Sequence, residues 1–110
     1  MHSSPQLVIV VTTVASHDDA ERIAHELIKS NLAACVQIDG PVSSHYHWDG
    51  TVQTSTEFRL TLKTNSGSWQ NLKEQLTLLH PYDEPGILMF PVTDTTEGYL
   101  EWVNQHTLRR

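Results

Sequence analysis

Two long alternating segments on either side of Asp49-Gly50 constrain this chain more than any other feature of its sequence. Apolar side chains recur at every second position, which is the period of a strand with one buried face: Tyr46, Trp48, Val52, Phe58, Leu60 and Leu62. Asp49-Gly50 provides the positive φ angles of a tight hairpin turn. The hairpin, from Val42 to Thr64, is long for a chain of 110 residues. Strands that extend beyond their own core leave edges that another subunit most simply covers.

The segments around this hairpin predict a mixed α and β fold. Apolar, β-branched residues from Leu7 to Val11 predict a buried first strand, and residues 32–38 predict a second strand that ends before Gly40-Pro41. Ile87 to Val92 predicts the last strand. Each of the three helices has a candidate N-terminal cap, and these caps are Ser16, either Ser66 or Ser68, and Asp94 in a capping-box pattern with Glu97.

The order of these elements is strand, helix, long hairpin, helix, strand and short C-terminal helix. This order is that of a split βαβ, ferredoxin-like α+β sandwich, with an antiparallel sheet and two helices on one face. The length suits one domain, residues 1–110. Because the fold supports many unrelated activities, function has to be inferred from particular residues.

The charge and motif content exclude several classes of function. The net charge of -6 disfavours nucleic acid as a partner, because phosphate binding needs a basic surface. No apolar run approaches the ~20 residues of a membrane-spanning helix. The single cysteine, Cys35, and a start without a secretory signal pattern predict a cytoplasmic protein. The phosphate-binding loop, the nucleophile elbow and the Cys-x-x-Cys pair are all missing from the sequence, so we do not expect an enzyme.

The polar corner that follows the second helix is the first candidate site. Pro81 should end that helix at His80, and Tyr82, Asp83 and Glu84 follow on a loop. An imidazole beside carboxylates can bind a divalent metal ion or carry a proton. A histidine at this position can instead simply cap the end of the helix.

The two hairpin histidines are a second candidate. His45 and His47 lie two residues apart on a strand, so both imidazoles can reach one metal ion. An exposed polar face of an antiparallel sheet would show the same spacing.

Several motifs in their order along the chain resemble the CutA divalent-cation tolerance family. The resemblance runs from the first strand to the last helix. The segments that carry it are Leu32-Ala33-Ala34-Cys35, Ser44-His45-Tyr46-His47-Trp48-Asp49-Gly50, Glu57 with Leu62-Lys63-Thr64, His80-Pro81-Tyr82 with Pro85, Pro91-Val92, and Tyr99 with Trp102. The resemblance implies a ferredoxin-like subunit in a homotrimer whose long hairpins pair across subunits, similar in architecture to PII-type signalling proteins. It also implies a shared polar and aromatic set that can line an intersubunit cleft for a small molecule: Tyr46, Trp48, Glu57, Lys63, His80, Tyr82 and Trp102.

The resemblance further implies copper or another divalent cation as the bound species. In some members of the family the proposed ligands are a cysteine late in the first strand, the histidine of the His-Pro-Tyr motif, and a glutamate directly after the following proline. This chain has Thr12, His80 and Gly86 at those positions. A metal site here would therefore need other groups, and we predict His80, Asp83 and Glu84 as the ligands.

The sequence thus leads to two hypotheses of different classes. The first is a cytoplasmic homotrimer that binds copper or another divalent cation and takes part in cation tolerance without catalysis. The alternative is a PII-like sensor trimer that binds a small metabolite in its intersubunit clefts and contacts a partner protein that the sequence does not identify.

Overall fold

A four-stranded antiparallel sheet is the framework of the molecule in the computed structural model, which describes residues 6–107. The elements, in chain order, are β1 (Leu7–Val14), α1 (His17–Lys29), β2 (Cys35–Trp48), β3 (Thr51–Asn65), α2 (Trp69–Leu79), β4 (Leu88–Pro91) and α3 (Glu97–Gln105). The strands lie in the order β2-β3-β1-β4, and each neighbouring pair is antiparallel. The predicted ferredoxin-like α+β fold is therefore confirmed.

The core lies on the face of the sheet that the first two helices cover. Residues that are paired across antiparallel strands point to the same side of a sheet, and Val10 is paired with Leu62 and with Met89. Val10 and Leu62 are fully buried, together with Ile23 of α1 and Leu72 of α2. Burial of these side chains is the main force that holds both helices against the sheet.

The boundaries of α1 follow from local chemistry. The Ser16 hydroxyl accepts a hydrogen bond of 3.1 Å from the backbone N–H of Asp19, and Asp18 and Asp19 lie in the first turn. Acidic side chains are favourable there because the N-terminus of a helix carries partial positive charge. Beyond the other end of the helix, Asn31 adopts φ of 60°, a left-handed conformation that asparagine tolerates and that stops the helix.

Several predicted boundaries were wrong, among them the end of the first strand, which continues past Val11 to Val14. The second strand begins at Cys35 and not at Leu32, because Leu27 of α1 accepts hydrogen bonds from the backbone of residues 32 and 33. Gly40-Pro41 does not end that strand, since the pairing with β3 resumes after a bulge between Asp39 and Val42. The cap of α3 is Thr96 and not Asp94, because the Thr96 hydroxyl accepts from the N–H of Tyr99.

The hairpin of β2 and β3 extends well past the rest of the sheet. The pairing of β1 with β3 ends at Val14 and Phe58, whereas β3 begins at Thr51. Residues 51–57 of β3 are therefore paired only with β2, which makes a two-stranded ribbon and gives the described chain a long axis of 51 Å. Such a ribbon is only marginally stable when it stands alone in water.

Two further sequence expectations concern a secretory signal and a membrane-spanning helix. The pattern of residues 1–5, on which the expected absence of a secretory signal depends, lies outside the described residues. Among residues 6–107, no helix has both the length and the apolar character that crossing a membrane requires.

Candidate functional site

His80 lies where α2 ends, as the sequence predicts. Its backbone is extended, with φ of −70° and ψ of 135°, because the ring of Pro81 disfavours the helical conformation at the preceding residue. The chain then turns away through Tyr82 and reaches Gly86 beside the carboxyl end of β1. The side chain of His80 is buried, with 6% of the residue exposed to solvent.

Both ring nitrogens of His80 are engaged in hydrogen bonds. Nδ1 accepts from the backbone N–H of Tyr82 at 3.2 Å, so this nitrogen carries no proton. Nε2 lies 3.0 Å from the carbonyl oxygen of Thr13 and 3.0 Å from the hydroxyl oxygen of Thr12. Because that hydroxyl gives its own proton to the Gly86 carbonyl at 2.7 Å, it accepts from His80. From these partners we assign a neutral imidazole with its proton on Nε2.

Burial favours the same neutral form. Desolvation lowers the pKa of His80 below its usual value, and this outweighs the raising effect of the hydrogen bond to Thr13 and of the Glu57 carboxylate. A neutral imidazole is the form that has a lone pair on Nδ1 for the Tyr82 N–H. The alternative of a charged histidine that caps the helix dipole is thus disfavoured by burial and by the donor at Nδ1.

A second contact joins the same loop to the hairpin. The phenol oxygen of Tyr82 donates a hydrogen bond of 2.5 Å to Oε2 of Glu57, and the Tyr82 and His80 rings are in contact at a centroid distance of 4.8 Å. Glu57 lies in β3 at the base of the ribbon and is only 8% exposed. Short hydrogen bonds to an ionised acceptor are among the stronger ones in proteins.

The Glu57 carboxylate is kept ionised by hydroxyl groups. Its burial raises the pKa, but hydrogen bonds from the side chains of Ser44, Tyr82 and Thr13 and the proximity of His80 outweigh this, so the pKa of Glu57 is lowered. Among residues 6–107, no lysine or arginine forms a salt bridge with this carboxylate. The site is therefore an anionic group whose side-chain hydrogen-bond donors, within the described chain, are all hydroxyls.

The pKa of Tyr82 is shifted by the same buried surroundings and by the Glu57 carboxylate. Burial, the hydrogen bond to Glu57 and the charge of that carboxylate raise the pKa of Tyr82, with a smaller contribution from Tyr46. The phenol is therefore protonated at neutral pH and acts as a donor. Glu57, His80 and Tyr82 are the members of the predicted cleft that the described chain brings into contact, whereas Tyr46 is 42% exposed farther along the ribbon.

The remaining members of the predicted cleft lie elsewhere in the chain. Lys63 is six residues beyond Glu57 along β3, roughly 20 Å away at strand spacing, and donates to Gln37 at 2.9 Å. Trp102 lies on α3 between the rings of Tyr99 and His106. Trp48 is 68% exposed at the end of the ribbon. A cleft that contains all seven residues thus requires a second chain, and it stays a prediction.

The predicted metal ligands are not brought together in the described chain. His80 is buried, whereas Asp83 and Glu84 are exposed on the following loop. Within residues 6–107, no group of three or more histidine, cysteine or acidic side chains is arranged to hold a metal ion. The metal site at His80, Asp83 and Glu84 therefore stays a prediction without support from the geometry of one chain.

The hairpin histidines do not form a metal centre of their own in one chain. His45 and His47 are both exposed, and Nδ1 of His45 lies 3.1 Å from the Thr54 hydroxyl on β3. Two imidazoles provide fewer than the three or four protein ligands of a tight zinc site. The exposed polar face of a sheet, which was the alternative interpretation of their spacing, describes these residues well.

The sequence interpretation did not include two of the hydroxyl donors at this site. Thr13 and Ser44 both support the Glu57 carboxylate, yet they come from different strands. The pair Thr12-Thr13 was a signal in the sequence, since two threonines at the end of an apolar strand place hydroxyls on both faces of the sheet. Ser44 had no comparable signal, because only the register of β2 against β3 brings it near Glu57.

A family model and similar known proteins carry the same family description. Residues 8–106 match a protein family described as CutA1 divalent ion tolerance protein. The chain is 36% identical over 101 residues to the divalent-cation tolerance protein CutA of Pyrococcus horikoshii, an alignment that covers 92% of this chain and 98% of that protein. It is 37% identical over 99 residues to the protein of the same name from Thermus thermophilus, with 90% and 96% covered.

The fold is equally similar to solved structures. The crystal structure of divalent ion tolerance protein CutA1 from Ehrlichia chaffeensis superposes with a TM-score of 0.92 at 30% identity, and the match covers 96% of this chain and 99% of that one. These names describe tolerance to divalent cations, and none of them names an enzymatic reaction.

Proposed function

Because this chain belongs to the CutA1 divalent ion tolerance family, we propose that it acts as a homotrimer in tolerance to divalent cations and binds copper or another divalent cation without catalysing a reaction. The observation that carries the proposal is the family match, which extends over residues 8–106 and thus includes every strand that contributes to the candidate site. The cytoplasmic location expected from the sequence stays a prediction, which fractionation of the source cells would test.

The trimer is supported by surfaces that a single chain leaves uncovered. On the sheet face opposite α1 and α2, Leu88 and Phe90 are 58% and 49% exposed, and they are paired with Val11 and Ile9. The ribbon exposes Val52 as well, at 69%. Apolar groups clustered on one face, beside a ribbon with unpaired edges, are typical of an interface between subunits.

The oligomeric state is measured by light scattering at micromolar concentration. We expect the mass of three chains for the wild type and a smaller mass for Phe90→Glu, which puts a charge on the uncovered face. Thr77→Glu, on the exposed side of α2, is the matched control and should leave the mass unchanged. A monomeric wild type would refute the trimer.

Copper binding is the second part of the proposal and is tested separately. Asp83 and Glu84 are exposed on the loop after His80, so their carboxylates are accessible to an ion. Calorimetric titration with Cu(II) should show saturable binding that the double variant Asp83→Asn, Glu84→Gln weakens. The double variant Glu74→Gln, Glu101→Gln removes two exposed carboxylates from helices and should bind as the wild type does. Titration without a saturable phase would refute copper binding.

A sensor of a small metabolite is the second candidate, and the Glu57 site favours it. An ionised carboxylate that is 8% exposed and held by hydroxyls is a preorganised polar group at the base of the ribbon. If neighbouring subunits add Lys63 and Trp102, the cleft has both a cation and an aromatic surface. A ligand bound there stabilises the folded protein and raises its thermal midpoint, by an amount that grows with the logarithm of ligand concentration above the Kd. Anionic metabolites should then stabilise the wild type but not Lys63→Gln, and the absence of any such shift would refute this candidate.

A further inference from the structure

Three side chains or backbone groups from distant parts of the chain meet at the end of β1. The Thr12 hydroxyl lies 3.0 Å from Nε2 of His80 and donates to the carbonyl oxygen of Gly86 at 2.7 Å. Residues 12, 80 and 86 are the three positions at which the family resemblance implies metal ligands. The fold therefore brings these three positions within hydrogen-bonding distance of one another.

The donor set does not fit a bound copper ion. A thiolate and a carboxylate would supply anionic ligands, whereas Thr12 supplies a neutral hydroxyl and Gly86 has no side chain. The hydroxyl proton of Thr12 is already given to the Gly86 carbonyl. No charge therefore develops at these two positions to offset that of a divalent cation.

Both ring nitrogens of His80 are also occupied by hydrogen bonds. A histidine binds a metal through a nitrogen that carries no proton, and the other nitrogen normally donates its proton to a neighbour. Here Nε2 donates toward Thr12 and Thr13, and Nδ1 accepts from the N–H of Tyr82. To bind a cation through Nε2, the ring would need its proton on Nδ1, which would then face the N–H of Tyr82. That arrangement sets two donors against each other.

We propose that the corner of Thr12, His80 and Gly86 is a metal-independent clasp, which fixes the loop of residues 81–87 against β1 and in which His80 binds no cation. Thr12 joins the two ends of the loop, because its hydroxyl contacts His80 on one side and Gly86 on the other. The clasp directs Tyr82 to Glu57 and so positions that pair. Asp83 and Glu84 then remain as the predicted metal ligands, and the clasp forms whether or not those carboxylates bind copper.

The state of His80 is measured directly by the ¹⁵N chemical shifts of its ring in the wild-type protein. We expect the neutral form with the proton on Nε2 in protein treated with a chelator, and the same shifts after Zn(II), a diamagnetic divalent cation, is added in excess. A proton on Nδ1, or a change of the His80 nitrogen shifts with Zn(II), would overturn the proposal.

The role of Thr12 is tested with a matched pair of substitutions. Thr12→Val removes the bridging hydroxyl at nearly constant volume, whereas Thr12→Ser retains it. We expect Thr12→Val to lower the thermal midpoint by on the order of 5 °C relative to Thr12→Ser, by the same amount with chelator and with Zn(II). Equal midpoints for the two variants, or a difference that appears only with Zn(II), would contradict a metal-independent clasp.

Discussion

The contact between Tyr82 and Glu57 leads to the sharpest prediction. Tyr82→Phe removes the phenol oxygen that donates to Glu57 at 2.5 Å and leaves the ring against His80 in place. A hydrogen bond to a charged group contributes ~1.5–3 kcal/mol to stability. Ser44 and Thr13 remain as donors to the same carboxylate, so we expect a loss near the lower end, about 1.5 kcal/mol at pH 7.

The cost of this substitution should depend on pH. The pKa of Glu57 in the folded protein lies below the value of 4.5 that applies without its partners. A group with a lowered pKa stabilises the folded state above its unfolded pKa, and that stability is lost as the pH falls through the folded pKa. Tyr82→Phe raises the folded pKa of Glu57 toward 4.5. The difference in the free energy of unfolding between variant and wild type should therefore shrink as the pH falls below 4.5.

Urea denaturation from pH 7 down to pH 3, at equal protein concentration, measures this difference. Tyr46→Phe is the control, since it removes a phenol hydroxyl from a residue that is 42% exposed on the ribbon. We expect Tyr46→Phe to unfold as the wild type does across the series. If Tyr82→Phe matches that control at pH 7, or if its cost is the same at every pH, the assigned role of Glu57 is wrong.

Three further substitutions test the packing, the helix cap and the backbone, each by urea denaturation. Leu62→Ala empties a fully buried position between the sheet and the helices and should cost ~2–5 kcal/mol, whereas Leu78→Ala on the exposed side of α2 should cost far less. Ser16→Ala removes the cap of α1 and should cost ~1 kcal/mol, and Ser16→Asp should retain most of the stability. Gly40→Ala should destabilise the hairpin, because Gly40 has φ of +149° and a Cβ there would lie 2.8 Å from Phe58. Gly86→Ala, where a Cβ would have no atom within 4 Å, is its control and should be nearly neutral.

Much of the fold could be predicted because it depends on local patterns. The alternation around Asp49-Gly50 predicted the hairpin, and Pro81 predicted the end of α2 at His80. Gly40-Pro41 was misinterpreted as a break for a physical reason. The two residues are typical strand breakers, but β3 tolerates them by continuing the pairing across a bulge, and this depends on a partner strand that local sequence does not reveal.

The candidate site was predicted only in part, since its members are far apart in sequence. His80 and Tyr82 were chosen from their loop and Glu57 from the family resemblance, but the contact between Tyr82 and Glu57 joins residues 25 positions apart. Lys63 and Trp102 were assigned to the same cleft, yet strand spacing separates Lys63 from Glu57 within one chain. Side-chain type could suggest these residues, whereas their distances required the register of the sheet.

By itself the sequence determined the strands and helices, because the period of apolar residues is a local property that dictates which face is buried. It also determined which groups stand at positions 12, 80 and 86. Only the tertiary structure decided what those groups do. Thr12 reaches His80 and Gly86 across 68 and 74 residues, and the hydrogen bonds made there use both nitrogens of the imidazole. The chemistry of His80 is therefore set by partners that only the folding of the chain brings within hydrogen-bonding distance.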